Sequence, residues 1–158
     1  MRYREFVTEV AMDGRDGLGA VPLNADVDYF GIRVAMQPSM WLRMAHELKF
    51  GDGSNKTIDH LAAHIQQGLA IGQPWFNIDI PDAWEDGDLD QPARIVGHEG
   101  RHRMMAIKQV EGDAPVEVHL FFPGLRARHI KPEWIKRLNT NIIDERGLLT
   151  PGPWFTTL

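Results

Sequence analysis

The chain contains no cysteine. Disulfides, thiolate metal sites and a cysteine nucleophile are therefore excluded. No uninterrupted apolar run approaches the roughly 20 residues that a membrane helix needs. The first residues, MRYREFVTEV, put charges where a signal peptide needs an apolar core. Internal repeats and low-complexity tracts are missing too. These absences lead us to expect a cytoplasmic protein of bacterial, phage or mobile-element origin, with no membrane partner. The formal net charge of −5 lacks the positive excess that indiscriminate nucleic-acid binding needs.

What is present suits one globular domain. The 158 residues are enough for a single core and too few for two ordinary domains. Charge is unevenly spread: residues 94–137 hold nine Lys/Arg against five Asp/Glu, whereas the rest of the chain holds eight against seventeen. A basic part beside an acidic one suits a local site for an anion.

Periodicity divides the chain into segments. Residues 1–17 form an N-terminal segment with one short helix expected at Tyr3–Met12. LGAVPLN reads as a short strand, and DYFGIRVAM as a second strand or a loop over a site. A helical pattern of Met40, Leu42, Met44, Ala45 and Leu48 follows Pro38, with Ser39 as its N-cap. GDGSNKT is a loop holding Ser54, Asn55 and Lys56. Thr57 caps a helix with Ile58, Leu61, Ala62 and Ile65 on one face. PWFNIDIP is a strand with Phe76, Ile78 and Ile80 on one side, and DAWEDGDLDQP is an exposed acidic connection. ARIV is a strand ending near Val96, before a helix that opens near Gly100. APVEVHLFF is a strand with Val116, Val118 and Leu120 on one face and Glu117 and His119 on the other. Pro132 starts a helix at its favoured position. The tail from Gly147 is extended. The order predicts a small α+β domain.

Two readings compete for IVGHEGRHRMMAI, residues 95–107. His98-Glu99-Gly100-Arg101-His102 matches the H-E-x-x-H zinc-hydrolase pattern, which needs both histidines on one face of a continuous helix. Gly100 in that helix would cost about 1 kcal/mol relative to alanine. Arg101 and Arg103 would crowd a dication, and a third ligand would have to come from Glu111, Glu117 or His119. The second reading is an anion-binding turn. A strand ends, Gly100 makes a tight turn, and a helix begins whose N–H groups and dipole face a phosphate. Arg103 would fork onto phosphate oxygens, with Arg101, His102 and His98 assisting. The second reading is preferred, with no metal ligand assigned.

This pattern resembles the ParB/sulfiredoxin superfamily, which includes ParB-like nuclease domains and free-serine kinases. The family motif is an acidic residue, glycine, any residue, histidine or arginine, arginine, two residues and alanine. Glu99, Gly100, His102, Arg103 and Ala106 match it in register. LAAHIQQGLAIGQPWFNIDIP and GDAPVEVHLF resemble the elements that flank the motif, and VPLN resembles the family's first strand. The resemblance covers residues 18–122, with 123–158 expected to pack on the same domain. It implies a phosphate-bearing nucleotide, CTP, ATP or ADP, with or without Mg2+. Without cysteine, sulfiredoxin chemistry is excluded. With one helix after Phe122, a complete ParB is not expected.

Glu99 is the candidate catalytic carboxylate, as proton acceptor or magnesium partner. Asp26 and Asp28 are weaker candidates for a second carboxylate. His60 and His64 sit four apart on a helix and read as surface histidines. Arg126, Arg128, Lys131, Lys136 and Arg137 form a basic cluster near Trp134, a candidate contact for DNA. The expectation is a nucleotide-binding domain that hydrolyses its ligand or transfers a phosphoryl group. The alternatives are a non-enzymatic DNA- or protein-binding module and, below it, the zinc hydrolase.

Overall fold

A computed structural model describes residues 29–47, 55–123 and 130–158. The expected helix Tyr3–Met12, the strand in LGAVPLN, Asp26, Asp28, Ser54, Arg126 and Arg128 lie outside the described residues. Four α-helices and one seven-stranded mixed sheet make up the rest, with a short 3-10 helix at Asp82–Asp86. The strands are β1 (Tyr29–Met36), β2 (Trp75–Asp79), β3 (Ala93–Glu99), β4 (Val116–Pro123), β5 (Asn141–Ile143), β6 (Leu149–Pro151) and β7 (Thr156–Thr157). The helices are α1 (Pro38–Met44), α2 (Asn55–Gln66), α3 (Arg101–Glu111) and α4 (Pro132–Thr140).

The sheet order is β6-β5-β3-β2-β4-β1-β7. Near its centre, β4 pairs antiparallel with β1 and parallel with β2. Its alternating β-branched and aromatic residues suit a strand covered on both faces, and Val116 through Phe122 are all buried. Val118, Leu120, Phe76, Ile78 and Ile95 face the core with the helices. Against them α2 lays Ile58, Leu61, Ala62 and Ile65, one stripe at helical spacing.

Several local expectations are corrected. Helix α1 stops at Met44, with Pro38, Trp41 and Met44 as its buried face, and Leu48, to which the expected pattern ran, lies outside the described residues. Gln37, not Ser39, is its N-cap. The Ser39 N–H and hydroxyl instead donate to the Asp113 carboxylate, the backbone bond at 2.7 Å, so the helix start is satisfied from a distant loop. These bonds, the Ser39 hydroxyl first, hold the Asp113 carboxyl below its usual range. Thr57 lies inside α2, which already includes Asn55 and Lys56. Ile80 falls just past the end of β2 and is half-buried.

The acidic connection is not simply solvated. Trp84 within it is fully buried, donates from Nε1 to the Gln91 carbonyl at 2.8 Å, and packs edgewise on Trp134 of α4. From α4, Arg137 donates to the carbonyls of Leu89 and Asp90 at 2.7 and 3.0 Å.

Residues after α4 complete both edges of the sheet. β5 pairs parallel with β3 and antiparallel with β6, while β7 pairs with β1 at the opposite edge. The crossing is held by Asn139. Its amide donates to the Phe155 carbonyl at 2.7 Å and accepts from the N–H groups of Trp154 and Phe155 at 2.8 and 3.0 Å. Asn139→Ala would leave three backbone groups without this partner. Chemical denaturation should show a loss of about 2–4 kcal/mol, against less than about 0.5 kcal/mol for exposed Lys136→Ala. Equal stability of the two variants would show that the crossing does not depend on this amide.

Candidate functional site

The site begins with an irregularity in β3. Ile95 pairs with Ile78 and Gly97 with Asn77, so Val96 is an extra residue opposite the Asn77–Ile78 step. Side chains alternate along a strand, and a bulge shifts that alternation by one. Ile95 and His98 therefore share the inner face although they are three positions apart. Val96 is pushed outward and is 54% exposed. His98 pairs with Phe76 and makes a T-shaped contact with Trp41 at 5.3 Å, while Trp41 stacks on Phe76 at 5.0 Å. Glu99 faces the other way.

β3 thus continues to Glu99, past the expected end at Val96, and α3 starts at Arg101. Gly100 alone turns the chain between them. Its φ of 112° lies in the left-handed region that favours glycine. A Cβ on Gly100 would stand 2.9 Å from Pro74 Cα and 2.9 Å from Arg103 Nη2. As N-cap, Gly100 offers no side chain to the helix, and the first turn of α3 has no acidic residue. His98 and His102 lie on a strand and a helix respectively, so the continuous helix required by the zinc reading is not there. The rings of His60 and His64 meet at a tilt with centroids 4.4 Å apart, and no group of three or more metal-ligating side chains occurs among the described residues.

The arginines of the motif turn inward rather than onto the surface. Arg101 is buried and donates from Nη1 to the Leu42 carbonyl of α1 at 3.3 Å. Arg103 is 2% exposed, reaches the Gln73 carbonyl from Nη1 at 3.5 Å, and pairs through Nη2 with Glu99 at 3.7 Å. Two residues apart on a helix, they point to opposite sides. Neither is placed as a surface fork for phosphate. They prop the turn and bring two positive charges inside the first turn of α3. His102 is half-buried between them.

Gln73, next to Pro74, is 1% exposed, and its side-chain amide has no hydrogen-bond partner among the described residues. A buried amide normally finds one. Together with the close-packed glycine turn, it fits the neighbourhood of a polar ligand.

On the inner face, His98 Nδ1 hydrogen-bonds the Glu145 carboxylate. Glu145 stands in the β5–β6 turn, and its N–H donates to the Met44 carbonyl at 3.1 Å. Buried Asp144 closes that turn by accepting from the N–H groups of Arg146 and Leu148 at 2.9 and 3.0 Å. Burial alone would raise the Glu145 carboxyl. The hydrogen bond and charge of His98, with the backbone and charge of His46, outweigh it and hold the group below its ordinary range. Glu145, Asp144, Trp41 and Gln73 had no signal in the sequence as site residues.

Three members of the basic cluster are among the described residues. Lys131 lies over the Trp134 ring at 5.4 Å, Lys136 is exposed, and Arg137 is bound to the acidic connection.

The outer face carries a row across four strands: Glu99, Trp75, His119 and Arg33 are successive register partners. Arg33 Nε donates to His119 Nε2 at 3.1 Å, which requires a neutral ring with its proton on Nδ1. Arg33 also lies 3.7 Å from Glu117.

No family model matches this chain, and neither does any curated protein or solved structure.

Burial first, and the Arg33 charge second, lower the His119 pKa to about 4. An unfolded histidine titrates near about 6.5. Between those values the unfolded chain binds the extra proton, so stability is complete above about pH 6.5 and falls as pH drops toward about 4. The loss is about 3 kcal/mol at most. Denaturation at pH 7 and pH 4.5 should show it, and His119→Gln should flatten this part of the profile. Parallel profiles for the two proteins would refute the assignment.

Proposed function

We propose that the chain binds a nucleotide by its phosphates at the turn Glu99–Arg103, as a ParB/sulfiredoxin-like domain, and hydrolyses it or transfers its terminal phosphoryl group. The observation that carries this reading is Gly100. It joins a strand to a helix in a left-handed conformation where Pro74 leaves no room for a side chain. Such a turn brings backbone close to a ligand and aims a helix N-terminus at it.

The surroundings support the same chemistry. Helix N-termini favour anions, and Arg101 and Arg103 add fixed positive charge behind the turn. Arg101 donates to the Leu42 carbonyl and Arg103 to that of Gln73, so what they add is long-range potential and rigidity. Gln73 supplies an amide beside the turn that can donate or accept. Glu99 at the mouth is 53% exposed and paired with Arg103, so it borders the anion without entering the first turn of α3. The order of helix, glycine-rich turn, β2, β3, α3 and β4 is the order on which the resemblance rests.

A nucleotide that binds the folded state raises the unfolding midpoint, by about 2.7 kcal/mol of stability at a hundred times its dissociation constant. Thermal unfolding against CTP, ATP, ADP and GTP, with and without Mg2+, should show such a rise for at least one of them. His102→Ala should leave the unliganded midpoint within about 2 °C and weaken binding about tenfold, a change of about 1.4 kcal/mol. A flat response to all four nucleotides would overturn the reading.

A further inference from the structure

The geometry points to His98, oriented by Glu145, as the group that takes a proton from the attacking water when a nucleoside triphosphate is hydrolysed at this turn. This inference rests on the nucleotide reading above and adds the proton acceptor, on the face opposite Glu99.

Four separate features converge on one imidazole. The Val96 bulge turns His98 to the inner face, and bulges beside active sites commonly re-aim a side chain in this way. Trp41 meets the His98 ring in a T-shaped contact at 5.3 Å and is itself fixed by stacking on Phe76. Glu145 holds Nδ1. The turn that carries Glu145 is locked by Asp144 and tied to α1 through the Met44 carbonyl. A surface ion pair needs none of this support. The side chains of His98 and Glu145 are 13% and 18% exposed, neither sealed nor freely solvated.

The consequence is chemical. A carboxylate on Nδ1 fixes the tautomer with the proton on that nitrogen, which leaves Nε2 with a lone pair. Nε2 lies on the other edge of the ring from Glu145. Two residues on, the same strand delivers Gly100 and the start of α3. In the step, a water oxygen bonds to the terminal phosphorus and its proton passes to Nε2. The bond from that phosphorus to the bridging oxygen breaks, and the electron pair stays on the nucleoside diphosphate. The imidazolium formed is stabilised by the Glu145 carboxylate, and it returns its proton to solvent after phosphate leaves.

The experiment pairs binding with turnover on the full chain. Calorimetric titration gives the dissociation constant for CTP, ATP and GTP, and phosphate release gives kcat. His98→Ala should lower kcat by about 10²–10⁴-fold, the usual range for a general base, with the dissociation constant changed by less than about threefold. Added imidazole should restore kcat of His98→Ala at least about tenfold, an effect that a merely structural histidine would not show. Glu145→Gln, nearly isosteric, should lower kcat at least about tenfold with similarly unchanged binding. Thermal unfolding of each variant checks that it is folded, and Glu145→Gln carries the test if His98→Ala is not. Binding without turnover in the parent chain, or turnover that survives both substitutions, would overturn the inference and leave the nucleotide reading standing. Absence of binding to every nucleotide would remove both.

Discussion

A strand sends successive side chains to opposite faces, and one additional residue reverses the assignment for everything that follows. In β3 that residue is Val96. Were β3 regular, His98 would share the outer face with Arg94 and Val96, and Glu99 would be driven against Trp41 and the core. The bulge exchanges them. The histidine enters a pocket built of Trp41, Phe76 and Glu145, and the glutamate emerges beside Arg103. Two adjacent titratable residues thus serve opposite sides of one turn.

The turn itself is held by charges that do not reach solvent. Burying a guanidinium is unfavourable unless its donors are met. Arg101 meets the Leu42 carbonyl and Arg103 meets that of Gln73, so each ties the start of α3 to a different neighbour: α1 on one side, the segment before β2 on the other. With Pro74 against Gly100, these bonds leave the turn little freedom. Preorganisation of this kind lets a backbone site bind an anion without first paying to order itself.

Regular elements were legible in the sequence because their periods are local. The alternation in APVEVHLFF and the spacing of Ile58, Leu61, Ala62 and Ile65 each need only their own segment. Pro132 marked the start of α4 for the same reason. What could not be read depended on partners. The bulge arises from pairing with Asn77 and Ile78, although a glycine inside a strand pattern, Gly97, is a recognised sign of one. Trp84 is buried by Trp134, so an acidic stretch concealed a core residue. Arg101 and Arg103 read as surface groups because arginine is rarely buried. Glu145 sits in a turn far from the motif, with nothing in its own neighbourhood to mark it.

The two halves of the site belong to parts of the sheet with unequal anchorage. The Gly100 turn is fixed by β2, α1 and the interior end of α3. The β5–β6 hairpin that carries Glu145 shares two ladder pairs with β3, Ala93 with Ile142 and Arg94 with Ile143, at the margin of the sheet, and beyond them is tied by the Glu145 bonds to His98 and to the Met44 carbonyl. Short marginal pairings open locally at much lower free energy than a core. Fluctuation of the hairpin away from β3 would carry off the carboxylate while the glycine turn stayed formed. On the proposed reading, ligand retention would rest on the glycine turn and chemical competence on the more weakly paired hairpin.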